Sequence, residues 1–259
     1  MADLEALLFD VDGTLADTER EGHRVAFNAA FRDAGLDWHW DEAMYGTLLR
    51  VTGGKERIQR YLEVFQGNFE TPGGVGSFIA ALHATKTEIY KELMAGGRIP
   101  LRTGVRRLLS EARSQGLRLG IATTTTVDNV HALLDSVLEH NGASWFEVIA
   151  AGDVVPAKKP APDIYLWAME RLGLPPDRCL ALEDSHNGLL SALGAGIRSV
   201  VVTVNGYTRE EDFAGASLVV DHLGDPGNPC HALAGRPAGG DMVDLALLRQ
   251  VHRQANRDS

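Results

Sequence analysis

From residue 105 to residue 204 the chain alternates short apolar runs with helix-period stretches, and that alternation leaves few folds open to it. The helical stretches fall near Val105 to Gln115, Asp128 to Leu138, Pro162 to Leu172 and Asn187 to Leu193. The apolar runs are Leu117 to Ala122, Phe146 to Ala150, Cys179 to Leu182 and Ser199 to Val204, with one more, Ala6 to Phe9, near the start of the chain. Strands joined through helices run parallel, because only an antiparallel pair can be closed by a tight turn. The helices then cover both faces of the sheet. The predicted class is therefore α/β, with a Rossmann-like, doubly wound parallel sheet. Such sheets bind ligands beyond the carboxyl ends of their strands.

Residues 18 to 96 read differently. Helical patterns run from Thr18 to Phe31, where Phe27 and Phe31 lie one turn apart and Gly35 follows as a stop, then over Asp41 to Leu49, Gly54 to Phe65 and Phe78 to Met94. No strand pattern interrupts them, so this stretch is expected to be an all-helical cap inserted into the core, with Trp38 and Trp40 in its interior. The expected division is a core of 1–17 and 97–259 and a cap of 18–96, hinged after Leu15 and at Gly96-Gly97. A Gly/Pro-rich loop is expected over 226–240 and a last helix near Met242 to Gln254.

Charge narrows the partners. A formal net charge of -10 disfavours a nucleic-acid or anionic-membrane surface, which needs clustered Lys and Arg. There is no signal-peptide pattern and no apolar run near the ~20 residues that span a bilayer, so a cytoplasmic protein is expected, with no obligate protein partner inferred. Cys179 and Cys230, without CxxC spacing, read as reduced and non-catalytic.

The strand tips carry the chemistry. Asp10 and Asp12 follow the first run, Thr123 and Thr124 the second, Lys159 lies beyond the third, and Glu183-Asp184 follow the fourth. Carboxylates gather a hard divalent cation such as Mg2+. A hydroxyl, a lysine and backbone N–H groups can hold the other oxygens of a transferring phosphoryl group. Asp10 and Asp12, two apart on extended chain, can face one centre and divide the work of nucleophile and proton carrier. Taken singly each has an ordinary reading: a solvated loop, a helix N-cap, a surface lysine, a strand-end hydroxyl.

Together they are more specific. Asp10-Val11-Asp12-Gly13-Thr14-Leu15, Thr123 after Gly120-Ile121-Ala122, Lys159-Pro160-Ala161-Pro162-Asp163 and Glu183-Asp184-Ser185 resemble the four ordered motifs of the haloacid-dehalogenase superfamily. Within it the chain is similar to the branch of β-phosphoglucomutase and the CbbY sugar-phosphate phosphatases. The CbbY likeness is carried by Asp12 to Ala16, Thr52 to Ile58, Ala122 to Thr125 and Ala150 to Asp153.

The resemblance implies Mg2+-dependent hydrolysis of xylulose-1,5-bisphosphate, an inhibitory misfire product of Rubisco, to xylulose 5-phosphate. It implies Asp10 as nucleophile, Asp12 as acid/base and carbonyl ligand, Asp184 as metal ligand, and Glu183 as a ligand directly or through another group. Thr123 and Lys159 would bind the phosphoryl group, and Asn187 would orient neighbours. A bisphosphate needs a second anion site, for which the cap offers Arg50, Lys55, Arg57, His83 and Lys86; Glu19, His23 and Tyr45 are candidate contacts to sugar hydroxyls. Lys55, Arg57, Lys86, His23 and His83 also have an ordinary reading as surface groups. The Asp41-Glu42 and Glu210-Glu211-Asp212 runs read as solvated faces. Competing functions are a sugar-phosphate mutase, a non-catalytic sugar-phosphate sensor, and a dehalogenase, against which Asp12 and the acidic pair speak.

Overall fold

The computed structural model describes residues 3–97, 99–138, 141–235 and 240–257. Seven strands form one sheet: β1 Ala6–Phe9, β2 Arg118–Thr123, β3 Val148–Ala151, β4 Cys179–Glu183, β5 Val200–Thr203, β6 Leu218–Val220 and β7 Ala232–Ala234. Their order is β3-β2-β1-β4-β5-β6-β7, parallel throughout except for the last pair, β6 and β7. Strand β1 sits between β2 and β4, with Phe9 opposite Ile121 on one side and Leu182 on the other. Chain direction switches there, so the crevice falls beyond Phe9.

Alternation along the strands builds two cores. Leu7 and Phe9 face one side with Leu180 and Leu182; Ala6 and Leu8 face the other with Cys179 and Ala181. Helices α5 Val105–Ser114, α6 Val127–Val137 and α9 Leu245–Ala255 contribute to the first core, and α7 Asp163–Leu172 and α8 His186–Gly194 to the second.

Between β1 and α5 the chain is helical, as expected: one π-type turn over Glu19–His23, then α1 Arg24–Asp33, α2 Glu42–Leu48, α3 Gly54–Phe65 and α4 Val75–Ala95. These helices have a core of their own, in which Trp38 and Trp40 pack with Phe27, Phe31 and Tyr61. The insert leaves and rejoins the sheet at one place. Ala16 bridges Leu101 antiparallel, and the Arg102 N–H donates to the Leu15 carbonyl at 2.8 Å.

Two elements depart from the reading. Strands β6 and β7 extend the sheet, and β7 lies within the expected 226–240 loop; at three residues each, they are too short to display a period. Positions 236–239 of that loop lie outside the described residues. Among the described residues no helix is long and apolar enough to cross a membrane.

Arg102 fastens the crevice. Its guanidinium donates to the carbonyl oxygens of Gly13, Thr203 (2.9 Å), Val204 (2.6 Å) and Asp221 (2.8 Å), tying the turn after β1 to the ends of β5 and β6. A buried planar fork with several donors can do this; a lysine cannot.

Candidate active site

The chain past β1 stays paired for one more residue, since the Asp10 N–H donates to the Leu182 carbonyl at 3.0 Å, and this fixes Asp10 at the carboxyl end of a central strand. Lys159 Nζ lies 2.7 Å from Asp10 Oδ1 and 2.6 Å from Glu183 Oε1. The Tyr165 hydroxyl donates to the same Glu183 oxygen at 2.5 Å, and Asn205 Nδ2 donates to Asp184 Oδ2 at 2.7 Å. Asp10, Glu183 and Asp184 are buried and each offers a carboxylate oxygen within 4.8 Å of the others. Two glycines make room for them. A methyl at Gly13, whose φ is +89°, would stand 2.1 Å from Asp184 Oδ2, and one at Gly188 would stand 1.9 Å from Glu183 Oε2.

Three buried carboxylates against one ammonium leave negative charge unbalanced. Burial, opposed by Lys159 and reinforced by Glu183 and Asp12, pushes Asp10 up to about 8. Burial and then Asp10 and Glu183 drive Asp184 well above the usual carboxylate range. Burial works against the Lys159 charge, but Asp10 and Glu183 outweigh it and hold the ammonium protonated. Glu183 Oε2 is buried and has no hydrogen-bond partner among the described residues. Hard oxygen donors with surplus negative charge suit a divalent cation such as Mg2+.

The Asp12 carboxylate stands apart from this cluster. Its Oδ1 accepts from the Thr18 hydroxyl at 2.5 Å and lies 2.8 Å from His23 Nε2, while His23 Nδ1 lies 2.6 Å from Lys86 Nζ. Both contacts are satisfied when Nε2–H donates to Asp12 and Nδ1 accepts from Lys86. Burial alone would raise Asp12, but His23, Thr18 and Lys86 outweigh it and hold it down at about 2. Burial in turn pulls Lys86 down to about 7. The Asp12 carboxylate is accordingly not among the side-chain carboxylates that converge on one point, which are those of Asp10, Glu183 and Asp184.

The cleft beside these groups has a volume of about 390 Å³ and is walled by Asp10, Asp12, Thr123, Lys159, Asp184 and Asn187. Thr123 ends β2, with its hydroxyl accepting the Thr125 N–H at 3.3 Å. Asn187 reaches across to the insert and donates to Thr52 Oγ1 at 3.1 Å. Arg50 is exposed on the rim and forms no ion pair among the described residues. A smaller adjoining cleft is lined by Lys55, Lys86, His83 and Lys158; Glu19, Arg57 and Thr124 reach both.

Several insert residues are engaged differently from the expectation. Tyr45 is fully buried and lines neither cleft: its hydroxyl donates to Glu19 and accepts from Arg57 Nη1 at 2.9 Å, so it braces those two instead of meeting a sugar hydroxyl. Lys55 is 2.9 Å from Asp153, which Lys158 also meets at 2.8 Å; hydrogen bonds from the two lysines hold Asp153 down at about 2. The Glu210-Glu211-Asp212 run is exposed as expected but rims the larger cleft, and Glu211 accepts the His186 N–H at 2.7 Å. Tyr165, Thr18, Asn205 and Asp153 were not anticipated. Asn205 follows the apolar run of β5, so the strand-tip rule extended by one strand finds it.

His83 carries a prediction for stability. Burial, then the charges of Lys86 and Lys55, pulls it down from 6.5 to about 3. Between those pH values the unfolded chain takes up a proton that the folded chain refuses, so stability falls as the pH drops through that window. The variant His83→Gln is expected to lose less stability than the parent between pH 7 and pH 4.5 in urea titrations; equal losses would contradict the assignment.

The haloacid dehalogenase-like hydrolase family profile matches residues 4–196. The chain belongs to that family. Within it, the hydrolase is 48% identical over 253 residues to CbbY of Cupriavidus necator, covering 96% of this chain and 97% of that protein. It is 29% identical over 205 residues to a phosphorylated carbohydrates phosphatase of Thermotoga maritima, covering 78% and 86% of the two chains. It superposes with a TM-score of 0.79, at 49% identity and over 85% of this chain and 94% of the other, on a D10N mutant of CbbY from Rhodobacter sphaeroides in complex with xylulose-1,5-bisphosphate. The hydrolase is a phosphatase, similar to the CbbY proteins over most of its length.

Proposed function

We propose that this phosphatase removes one phosphate from a sugar bisphosphate, xylulose-1,5-bisphosphate, in a Mg2+-dependent reaction through an aspartyl-phosphate on Asp10. The observation that carries the reading is the buried group of Asp10, Glu183 and Asp184, in which Lys159 is the one ion-pair partner among the described residues, an arrangement suited to one more cation and a phosphoryl group. The substrate comes from the CbbY relative, whose complex holds that bisphosphate.

In this reading Asp10, Asp184 and the Asp12 carbonyl hold Mg2+, with Glu183 beside them. Bound there, Mg2+ would supply positive charge that favours the ionised form of Asp10 and offsets charge on the phosphoryl group. Asp10 attacks phosphorus and the sugar oxygen leaves. The approaching dianion raises Asp12 toward its protonated form, so that it can protonate the leaving oxygen, and it later takes the proton back from the attacking water. That water releases inorganic phosphate and restores Asp10. Lys159 and the Thr123 hydroxyl hold the phosphoryl oxygens throughout, with Thr124 beside them. Arg50, Lys55, Arg57 and Lys86 supply the positive field for the second phosphate, and Glu19 and His23 face the sugar. Residues 18–96 act as a cap that closes over the crevice and excludes water. A cytoplasmic enzyme acting on a small molecule fits this reading.

The test is phosphate release from xylulose-1,5-bisphosphate, ribulose-1,5-bisphosphate and β-glucose 1-phosphate with Mg2+, with and without EDTA, the sugar products followed by NMR. Release from the xylulose compound above the other two, lost with EDTA, is the expected result. Conversion of glucose 1-phosphate without free phosphate would instead make the enzyme a mutase.

A further inference from the structure

We propose that Tyr207 is a docking residue of the core: its ring seats in a socket made by Tyr45 and Gly46 of the helical insert and sets where the insert closes over the carboxylates. Among the described residues Tyr207 is the one hydrophobic side chain from outside the insert that packs against the insert's hydrophobic cluster. Its ring meets that of Tyr45 edge-on, with centroids 6.0 Å apart and planes at 67°. A methyl at Gly46 would stand 3.2 Å from Tyr207 Cδ1, so the bare backbone of α2 forms the floor of the socket. The Tyr207 hydroxyl is buried and has no hydrogen-bond partner among the described residues, which leaves the ring to carry the contact.

The turn that bears this ring is fastened to the reacting centre. The Tyr207 N–H donates to Asn205 Oδ1 at 2.8 Å, and Asn205 Nδ2 donates to Asp184 Oδ2. The Asn205 N–H donates to Thr208 Oγ1 at 3.1 Å, closing the turn on itself. One short segment therefore touches a carboxylate of the cluster at one end and the insert at the other. On the insert side Tyr45 continues the path to Glu19 and Arg57, which line both clefts. Tyr207 also borders the larger cleft, and its assigned role is that of a positioning residue, which places the insert.

Two measurements test this, and the kinetic one rests on the phosphatase reading. Amide hydrogen exchange reports the contact without any substrate: Tyr207→Ala is expected to speed exchange over residues 46–55 severalfold, and Tyr207→Phe to leave it as in the parent. In phosphate release, Tyr207→Ala is expected to lower kcat/KM about tenfold, mostly through KM. Tyr207→Phe should stay within about twofold. Gly46→Val, which fills the socket from the other side without weakening the helix, should match the loss of Tyr207→Ala, and the double variant should be no worse than either. Unchanged exchange in Tyr207→Ala, or additive losses in the double variant, overturns the proposal. Should the parent prove inactive on xylulose-1,5-bisphosphate, the substrate reading fails and exchange alone decides this one.

Discussion

Replacing Asp10 by asparagine is expected to lower phosphate release by at least about 10⁴-fold while the melting temperature stays at or above that of the parent. The amide has the shape of the carboxylate, and its oxygen can still accept from Lys159, which lies 2.7 Å from Asp10 Oδ1. It has no ionised oxygen with which to attack phosphorus. Stability should not suffer, because Asp10 is one of three crowded carboxylates and burial already pushes it up to about 8. Removing its charge relieves repulsion with Glu183 and Asp12. Two measurements settle it: single-turnover phosphate release, and acid-stable labelling of the protein by a phosphate-labelled substrate. Sustained turnover in Asp10→Asn would remove the aspartyl-phosphate from the mechanism, whatever the substrate.

The second large effect is expected at Lys159. Lys159→Met keeps most of the side-chain volume but takes away the ammonium shared by Asp10 and Glu183. Activity should fall at least about 100-fold, the usual scale for losing a charged group that meets the transition state. Stability should fall too, by about 3 kcal/mol near pH 7.5 in Mg2+-free buffer, because breaking a buried ion pair leaves its partner uncompensated. Without the ammonium Asp10, which Lys159 holds down against burial, is raised further above its unfolded value. A raised carboxylate makes the folded chain bind more protons than the unfolded one, so the deficit shrinks as the pH falls. Urea titrations at pH 7.5 and pH 5.5 read this directly; a deficit that widens in acid would show that Lys159 is not balancing these carboxylates.

The strand-end chemistry was legible because strands end abruptly. Ala6 to Phe9 is apolar and fully buried, and the polar residues after it have nowhere to stand but the crevice. The same holds for Thr123 and for Glu183-Asp184. Helix bounds were legible to within a turn: Gly54–Phe65 has a clear apolar period, and Asp41 caps Glu42–Leu48 by accepting the Met44 N–H. Partnerships across distant segments were not. Nothing local says that Asp12 turns to His23, that Lys55 meets Asp153 98 residues away, or that Tyr45 lies wholly inside the insert. Such pairings are set by how the insert packs on the core. Arg102 is the extreme case, one arginine among many in sequence, whose carbonyl partners lie in three separate segments.

The adjacent exit and return of the insert, where Ala16 bridges Leu101, has an evolutionary consequence. A module whose two ends meet at one spot can be lengthened, traded or rebuilt without re-threading the sheet that carries it. The chain can therefore inherit its reaction from one set of residues and its choice of molecule from another. Selection can rewrite the second while the first stands still.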